Sequence, residues 1–283
     1  MLTYQEAYHQ LTKRLQPLYD AQEAAAIAHE LLLHITGQDK LQRLMNRDQT
    51  LTFSQEQQYA EAAEQLANGK PLQYVTAQAW FMGRPYKVNE HVLIPRPETE
   101  ELVQWIADEW KDKPCNILDI GTGSGCIPIA LKLLLPSATI ASCDVSANAI
   151  QVAKENAAAL QADITVQQLD FLNVEDWTQL GQYDVIVSNP PYIPESEINN
   201  IHPNVKDHEP HLALFVPNDD PLMFYKAIAA FGKTHLKQDS AVYCELHMDH
   251  ALQTGAMFEE MGYKVEVRKD MHGNWRMLKA LIG

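Results

Sequence analysis

Cysteine is scarce in this chain of 283 residues: there are four, Cys115, Cys126, Cys143 and Cys244, and no two form a CxxC pair. That leaves no room for a disulfide framework and suits reduced, mostly buried thiols of a cytoplasmic protein. Basic residues are also few. Against 37 Asp and Glu stand 22 Lys and Arg, a formal net charge of −15. A broad grip on nucleic acid needs Lys and Arg to displace counterions from phosphate, so direct nucleic-acid binding is disfavoured beyond a local basic patch. No apolar run approaches the roughly 20 residues of a membrane-spanning helix. The opening MLTYQEAYHQ lacks the charged-then-apolar layout of a signal peptide. Repeats and low-complexity tracts are missing too. What remains is an ordinary globular composition, 46% apolar and 21% charged. At about 100–200 residues per domain the length suits two domains.

Residues 1–71 read as a small helical bundle. Apolar residues recur at helical spacing in "AAAIAHELLLHITG" (24–37), with Gly37 where a C-cap would stand. "SQEQQYAEAAEQLANGKP" (54–71) offers Ser54 as N-cap and closes on Asn68-Gly69. His29 and His34 lie on these helices without the i, i+4 spacing of a ligand pair. In 72–95, β-formers flank Gly83-Arg84-Pro85, a β-hairpin signal and a natural linker between domains. "PRPETEELVQWIADEW" (95–110) then starts a helix, with Pro97 in its first turn and Glu98, Glu100 and Glu101 near the positive end of its dipole.

From 115 onward strands and helices alternate. Strands are expected at 116–120, 138–143, 164–168, 183–188, 240–246, 263–268 and 275–281, and helices at 124–135, 146–161, 220–236 and 250–261. This pattern predicts an α/β fold over 96–283, a doubly wound, seven-stranded, mostly parallel sheet. Only "DMHGN" separates the last two strands, too short for a crossover helix, so they should pair antiparallel.

"NILDIGTGSGCIPIAL" (116–131) is a strand, a glycine turn and a helix. Its glycines, Gly121, Gly123 and Gly125, spell GxGxG, whereas the dinucleotide fingerprint is GxGxxG. Asp119 just before them is a poor neighbour for phosphate and a better one for an amino-bearing ligand. Asp144, at the end of the next strand about 20 residues on, can accept from both ribose hydroxyls. A nucleoside with an amino-acid tail fits this set, namely S-adenosylmethionine, with NAD the weaker alternative. A lone GxGxG would leave a mere tight turn competitive, with Asp144 capping the following helix. After the third strand, Asp170 can accept from an adenine amino group and Phe171 can lie against the ring. A capping Asp and a core Phe explain that pair equally well.

"VIVSNPPYIP" (185–194) ends the fourth strand. In a doubly wound sheet, ligands sit outside the carboxyl ends of the strands at the switch point, so this loop should face the glycine loop. A carboxamide nitrogen is a poor nucleophile because its lone pair is delocalised. Two acceptors aimed at its N–H bonds would hold it and favour the more tetrahedral, positively charged nitrogen of the transition state. The Asn189 side chain supplies one and the Pro190 carbonyl, stiffened by Pro191, the other, while Tyr192 offers a flat face. The competing structural role is a proline-rich strand end with Asn189 in an Asx-turn.

These motifs together resemble the release-factor glutamine methyltransferases, the family also called HemK or PrmC. The resemblance runs through "GKPLQYV" (69–75), "VLIPRPETEELV" (92–103), "LDIGTGSG" (118–125), "DVSANAI" (144–150), "VSNPPYIP" (187–194), "HEPHLAL" (208–214) and "KDMHGNWRML" (269–278). It implies a helical substrate-recognition domain, a hairpin linker and a class I methyltransferase domain. It also implies methylation of the glutamine side-chain amide in the Gly-Gly-Gln motif of bacterial peptide chain release factors, with S-adenosylhomocysteine as the other product. Carried over by position, Gly121, Thr122, Gly123, Ser124, Gly125, Asp144, Phe171 and Asn189 contact S-adenosylmethionine. Asn189, Pro190, Pro191 and Tyr192 hold the glutamine, and Asn189, Pro190 and Tyr192 carry the catalysis. The chain departs from the family pattern at Ala77-Gln78-Ala79-Trp80-Phe81 and in "ELHMDH" (245–250), both outside the glycine and NPPY loops.

No metal is expected: His247 and His250 form HxxH without a HExxH glutamate and read as a polar helix start. The histidines of "IHPNVKDHEPH" (201–211) suggest a mobile substrate-gating loop. The expected molecule is a cytoplasmic monomer. The chief alternative is an amine methyltransferase acting on a nucleic-acid base, since such enzymes share NPPY; the negative charge opposes it. A nucleotide-binding adaptor with a vestigial site is the non-enzyme alternative, opposed by the intact NPPY.

Overall fold

The structure is a computed structural model and describes residues 1–282. The chain forms two compact units, one of residues 1–78 with 202–208, the other of 79–201 with 209–283.

In the first unit, helices α1 (Tyr4–Leu15), α2 (Ala21–Thr36), α3 (Lys40–Met45) and α4 (Phe53–Ala67) are followed by the single turn α5 (Leu72–Val75). Capping sets their limits. Thr3 and Glu6 form a capping box on α1, Asp20 accepts from two N–H groups at the start of α2, and Gly37 ends α2 at φ +68°. For α4 the cap is Thr52, boxed with Gln55, not Ser54. Both hydroxyls have a glutamine three residues on, Gln55 for Thr52 and Gln57 for Ser54, and the helix takes the earlier box, with Gln55 Oε1 accepting from Thr52 N at 3.0 Å. Leu11, Leu15, Leu31, Leu32, Leu51 and Leu66 fill the core. His29 stacks on Tyr8 with ring centroids 4.4 Å apart. Segment 202–208, expected as part of a gating loop, contains a one-turn helix, α9 (Pro203–Lys206), and His202 stacks on Tyr19.

The second unit opens with a hairpin, β1 (Gln78–Phe81) and β2 (Arg84–Lys87), and helix α6 (Pro97–Trp110). Then come β3 (Asn116–Ile120), α7 (Cys126–Leu134), β4 (Thr139–Asp144), α8 (Ala147–Ala159), β5 (Thr165–Gln168) and β6 (Tyr183–Ser188). A short pair, β7 (Ile193–Pro194) and β8 (Phe215–Val216), was not anticipated from sequence, being two residues each. The chain closes with α10 (Met223–His235), β9 (Leu236–Glu245), α11 (Ala251–Glu260), β10 (Tyr263–Lys269) and β11 (Trp275–Ile282).

Seven strands form one sheet in the order β10-β11-β9-β6-β3-β4-β5. The five strands from β9 to β5 are parallel, and β11 pairs antiparallel with both β9 and β10, the latter as the short DMHGN turn required. Period-two alternation divides the core. Ile117, Val185, Val187 and Tyr243 face α6 and α7, while Leu118, Ile186, Val242 and Cys244 face α10 and α11. All four cysteines are free and buried. Among the described residues no helix is long and apolar enough to cross a membrane. Because β4 and β6 flank β3 on opposite sides, the sheet's switch point lies at the carboxyl end of β3.

Candidate active site

The glycine loop begins where β3 stops. Gly121, Gly123 and Gly125 have φ of +74°, +52° and +79°, backbone that L side chains adopt only at a cost. The loop is tied to β4: the N–H groups of Gly121 and Thr122 both donate to the Cys143 carbonyl, at 2.9 and 3.0 Å. A Cβ at Gly121 or Gly123 would meet nothing within 4 Å, whereas at Gly125 it would lie 3.1 Å from both Ala153 Cβ and Ile129 Cδ1. The first two glycines thus keep space open for a ligand, and the third lets α7 and α8 pack. Gly125→Ala should therefore cost about 2–4 kcal/mol of stability, left-handed strain plus overpacking, and Gly123→Ala only about 1–2 kcal/mol. Urea melts of the ligand-free protein check this, and equal losses would refute the division of roles.

A cavity of about 370 Å³ opens at the switch point. Gly121, Thr122, Gly123, Ser124, Asp144 and Phe171 line it, together with Asn189, Pro190 and Pro191. The structure therefore brings together the cofactor-type and amide-type residues named from sequence. Gly125 and Tyr192 are not on its wall: Gly125 is the packing glycine, and Tyr192 takes part in a network behind the loop.

Asp144 Oδ2 accepts from Gly123 N at 2.9 Å and Oδ1 from Ser146 N at 2.9 Å. Each oxygen keeps lone-pair capacity for a ligand hydroxyl. Burial pushes this carboxyl's pKa up, and the backbone donors of Ser146 and Gly123 draw it back down. Asp119 is fully buried on the α6–α7 side of β3, and neither of its oxygens has a hydrogen-bond partner. Burial raises its pKa to about 7, with the nearby Thr122 hydroxyl opposing and the charge of Asp144 adding to the rise. The Thr122 hydroxyl is likewise buried without a partner. Unsatisfied groups of this kind are expensive; Thr122 lines the cavity and suits completion by a ligand, while Asp119 lies behind the wall. Two open glycines, a carboxylate with spare acceptor capacity, an aromatic wall at Phe171 and orphaned polar atoms fit a nucleoside with an amino-acid tail, and so fit S-adenosylmethionine. Asp170 also lines the cavity while accepting from Leu172 N at 3.0 Å, and Phe171 packs on Trp177 and Phe231. Both alternatives weighed for this pair thus coexist: Phe171 is core and cavity wall at once.

The NPPY loop follows β6 beside the glycine loop, with Ser188 registered against Ile120 and its hydroxyl donating to the Ile120 carbonyl at 2.8 Å. Asn189 Nδ2 donates to Thr99 Oγ1 at 3.2 Å, and Thr99 Oγ1 donates to Glu245 Oε2 at 2.5 Å. The Tyr192 hydroxyl donates to Glu245 Oε1 at 3.2 Å, and the Tyr192 ring meets His247 edge-on. Burial raises the pKa of Glu245, opposed by the Thr99 hydrogen bond, the Arg276 charge and the Tyr192 hydrogen bond. Farther along, Arg96 pairs with the buried Glu209, whose other oxygen accepts from Ile94 N at 3.1 Å. His247 and His250 precede α11 with their Nε2 atoms 3.4 and 3.8 Å from Glu197, and burial holds the His247 pKa down against the pull of that carboxylate.

Sequence reasoning missed Thr99, Glu245 and the Arg96–Glu209 pair. Signals existed for two of them. Glu245 is the one acid in the apolar strand end "AVYCEL", and a carboxylate there needs partners. Thr99 lies between Glu98 and Glu100 in the first turn of α6, where the helix dipole accounts for the acids but not for a hydroxyl. The Arg96–Glu209 pair joins residues 113 apart in sequence and left no local trace.

The sheet order, the glycine loop and the cavity together define a class I methyltransferase. Residues 98–206 match the family model described as methyltransferase small domain, and residues 6–76 the one described as PrmC N-terminal domain. The chain is 38% identical over 276 residues to a release factor glutamine methyltransferase of Flavobacterium psychrophilum, covering 96% of each. It is 38% identical to a protein of the same name from Bacteroides thetaiotaomicron, over 95% of this chain and 97% of that one. A solved methyltransferase from Pyrococcus furiosus shares the fold, with a TM-score of 0.52 and 17% identity over 72% of this chain and 91% of the other. The chain belongs to the release factor glutamine methyltransferase family.

Proposed function

We propose that this chain transfers a methyl group from S-adenosylmethionine to the side-chain amide nitrogen of the glutamine in the Gly-Gly-Gln motif of peptide chain release factors. The observation that carries it is the joining of Asn189 and Pro190 to the glycine loop and Asp144 on one cavity wall. When bound, S-adenosylmethionine supplies a methyl group on a cationic sulfur, an electrophile already activated. Gly121, Gly123 and their neighbours Thr122 and Ser124 shape its bed, with Gly125 holding that bed in place. Asp144 takes the ribose hydroxyls and Phe171 one face of the adenine. Asn189 and the Pro190 carbonyl hold the glutamine amide by its two N–H bonds, and the rigid Pro190-Pro191 backbone fixes their spacing. Orientation and electrostatics then do most of the catalysis, and the amide proton can leave after the methyl has arrived. Tyr192 acts from behind, through Glu245.

The domain reading is a substrate-recognition part over 1–71, a hairpin linker over 72–95 and the catalytic part over 96–283. The helical unit carries no chemistry of its own, which supports a recognition role. A cytoplasmic monomer is the simplest carrier of four free thiols, and the charge of −15 supports a protein substrate over a nucleic acid. Side-by-side transfer of tritiated methyl to release factor, DNA and ribosomal RNA tests the function. Label should enter release factor alone; label in either nucleic acid would establish the base-methylating alternative.

Asp144→Ala should weaken S-adenosylmethionine binding about ten- to hundredfold, the worth of a hydrogen bond to a charged group. Titration calorimetry on the folded variant checks it, and unchanged affinity would remove Asp144 from the cofactor site.

A further inference from the structure

We infer that Thr99 and Glu245 are positioning residues that decide which end of the Asn189 carboxamide meets the substrate nitrogen. This rests on the reading that the Asn189 oxygen accepts from the glutamine amide.

A carboxamide turned by half a revolution keeps its shape and exchanges its oxygen for its NH₂. One orientation of Asn189 gives the substrate an acceptor; the other sets N–H against N–H. Nothing in the loop backbone distinguishes them, so a neighbour must choose. Thr99 does so by proton count. Its hydroxyl has one proton, and that proton goes to Glu245 Oε2 at 2.5 Å. Toward Asn189, 3.2 Å away, the hydroxyl can present only lone pairs. The NH₂ end must turn there, which leaves the Asn189 oxygen for the substrate.

Glu245 sets the direction as a carboxylate, which only accepts; burial opposes that form, and the Thr99 hydrogen bond, the Arg276 charge and the Tyr192 hydrogen bond favour it. Oε2 takes the Thr99 proton and Oε1 the Tyr192 proton. Thr99 and Glu245 are each 2% exposed, so their mutual hydrogen bond is shielded from bulk water. One buried carboxylate on β9 therefore holds both ends of the NPPY motif, Tyr192 directly and Asn189 through the first turn of α6. Thr99 borders the cavity and Glu245 lies behind it, and neither needs to bond substrate or cofactor to turn Asn189.

The test compares Thr99→Val, Thr99→Ser and Glu245→Gln with the wild type. Valine removes the hydroxyl at nearly constant shape, serine restores it, and glutamine offers an NH₂ to one of the two hydroxyls. Thr99→Val should lower kcat about 10- to 100-fold while leaving cofactor affinity and KM for release factor within about twofold, and Thr99→Ser should recover most of the loss. Glu245→Gln should also lower kcat, which keeps the test usable if the valine variant folds poorly. Hydrogen exchange of the ¹⁵N-labelled Asn189 side-chain amide gives a readout that needs no substrate. Exchange should be slow in the wild type and Thr99→Ser and fast in Thr99→Val. Slow exchange in a wild type that does not methylate release factor would leave the positioning role standing and overturn the proposed substrate. Fast exchange in the wild type, or wild-type kcat in both Thr99→Val and Glu245→Gln, would overturn the positioning role.

Discussion

A release factor carrying glutamate in place of its target glutamine is expected to be methylated about 10⁴- to 10⁵-fold more slowly than the natural substrate, the discrimination reached by sites built to hydrogen-bond an N–H. The reason lies in what the wall offers. Asn189 and Pro190 present acceptors, and a glutamate carboxylate has no N–H for either. It would instead set negative oxygens against them in a cavity already bordered by Asp144. The adjacent cationic sulfur would attract the carboxylate, and that attraction is the competing effect. It acts without direction, whereas two lost hydrogen bonds and two acceptor–acceptor contacts act on the reacting group itself. Single-turnover transfer to the two substrates, with cofactor saturating, measures the ratio. A ratio below tenfold would mean that selection for the amide happens somewhere other than the NPPY wall.

Asn189→Ala should lower methyl transfer to release factor about 10²- to 10³-fold, the usual loss when one preorganised partner of a transition-state charge is removed. This exceeds the loss predicted for Thr99→Val, since a mis-set carboxamide still spends part of its time correctly turned. Asn189→Asp is the informative companion. It keeps the shape and supplies an acceptor, but it adds a charge and discards the donor that Thr99 receives at 3.2 Å. It should therefore fall between wild type and alanine. Rapid-quench measurement at saturating cofactor separates the chemical step from binding. Near-wild-type turnover by Asn189→Ala would reduce NPPY to a strand terminator.

Much of the fold could be read along the chain because its signals are local. The strands at 116–120 and 183–188 fall where their apolar runs placed them, bounded by glycine in one case and proline in the other. DMHGN announced the antiparallel pair because five residues cannot hold a crossover. The cavity was legible in the same way, since each loop carried its own residue types and the topology of a doubly wound sheet put the loops side by side. The network behind it was not. Thr99, Asn189 and Glu245 come from a helix, a loop and a strand scattered over the catalytic unit, and nothing local to any of them encodes the others. The β7–β8 pair was hidden for a different reason: two residues are too few to show a period. The place of 202–208 among the N-terminal helices was equally invisible, because a histidine-rich, proline-punctuated stretch reads as loop whatever it packs on.

Asn156 gives the hairpin a second importance. This buried side chain on α8 accepts from Lys87 N at 2.7 Å and donates to the carbonyls of Lys87 at 2.9 Å and Ser124 at 2.8 Å. One carboxamide thus bridges the edge of the hairpin and the glycine loop proposed to bed the methyl donor. A shift of the Asn156 side chain would loosen both contacts at once. Any coupling carried by this side chain would run both ways. If filling the bed stiffens the hairpin, then a partner that grips the stiffened hairpin must raise the donor's affinity by the same factor.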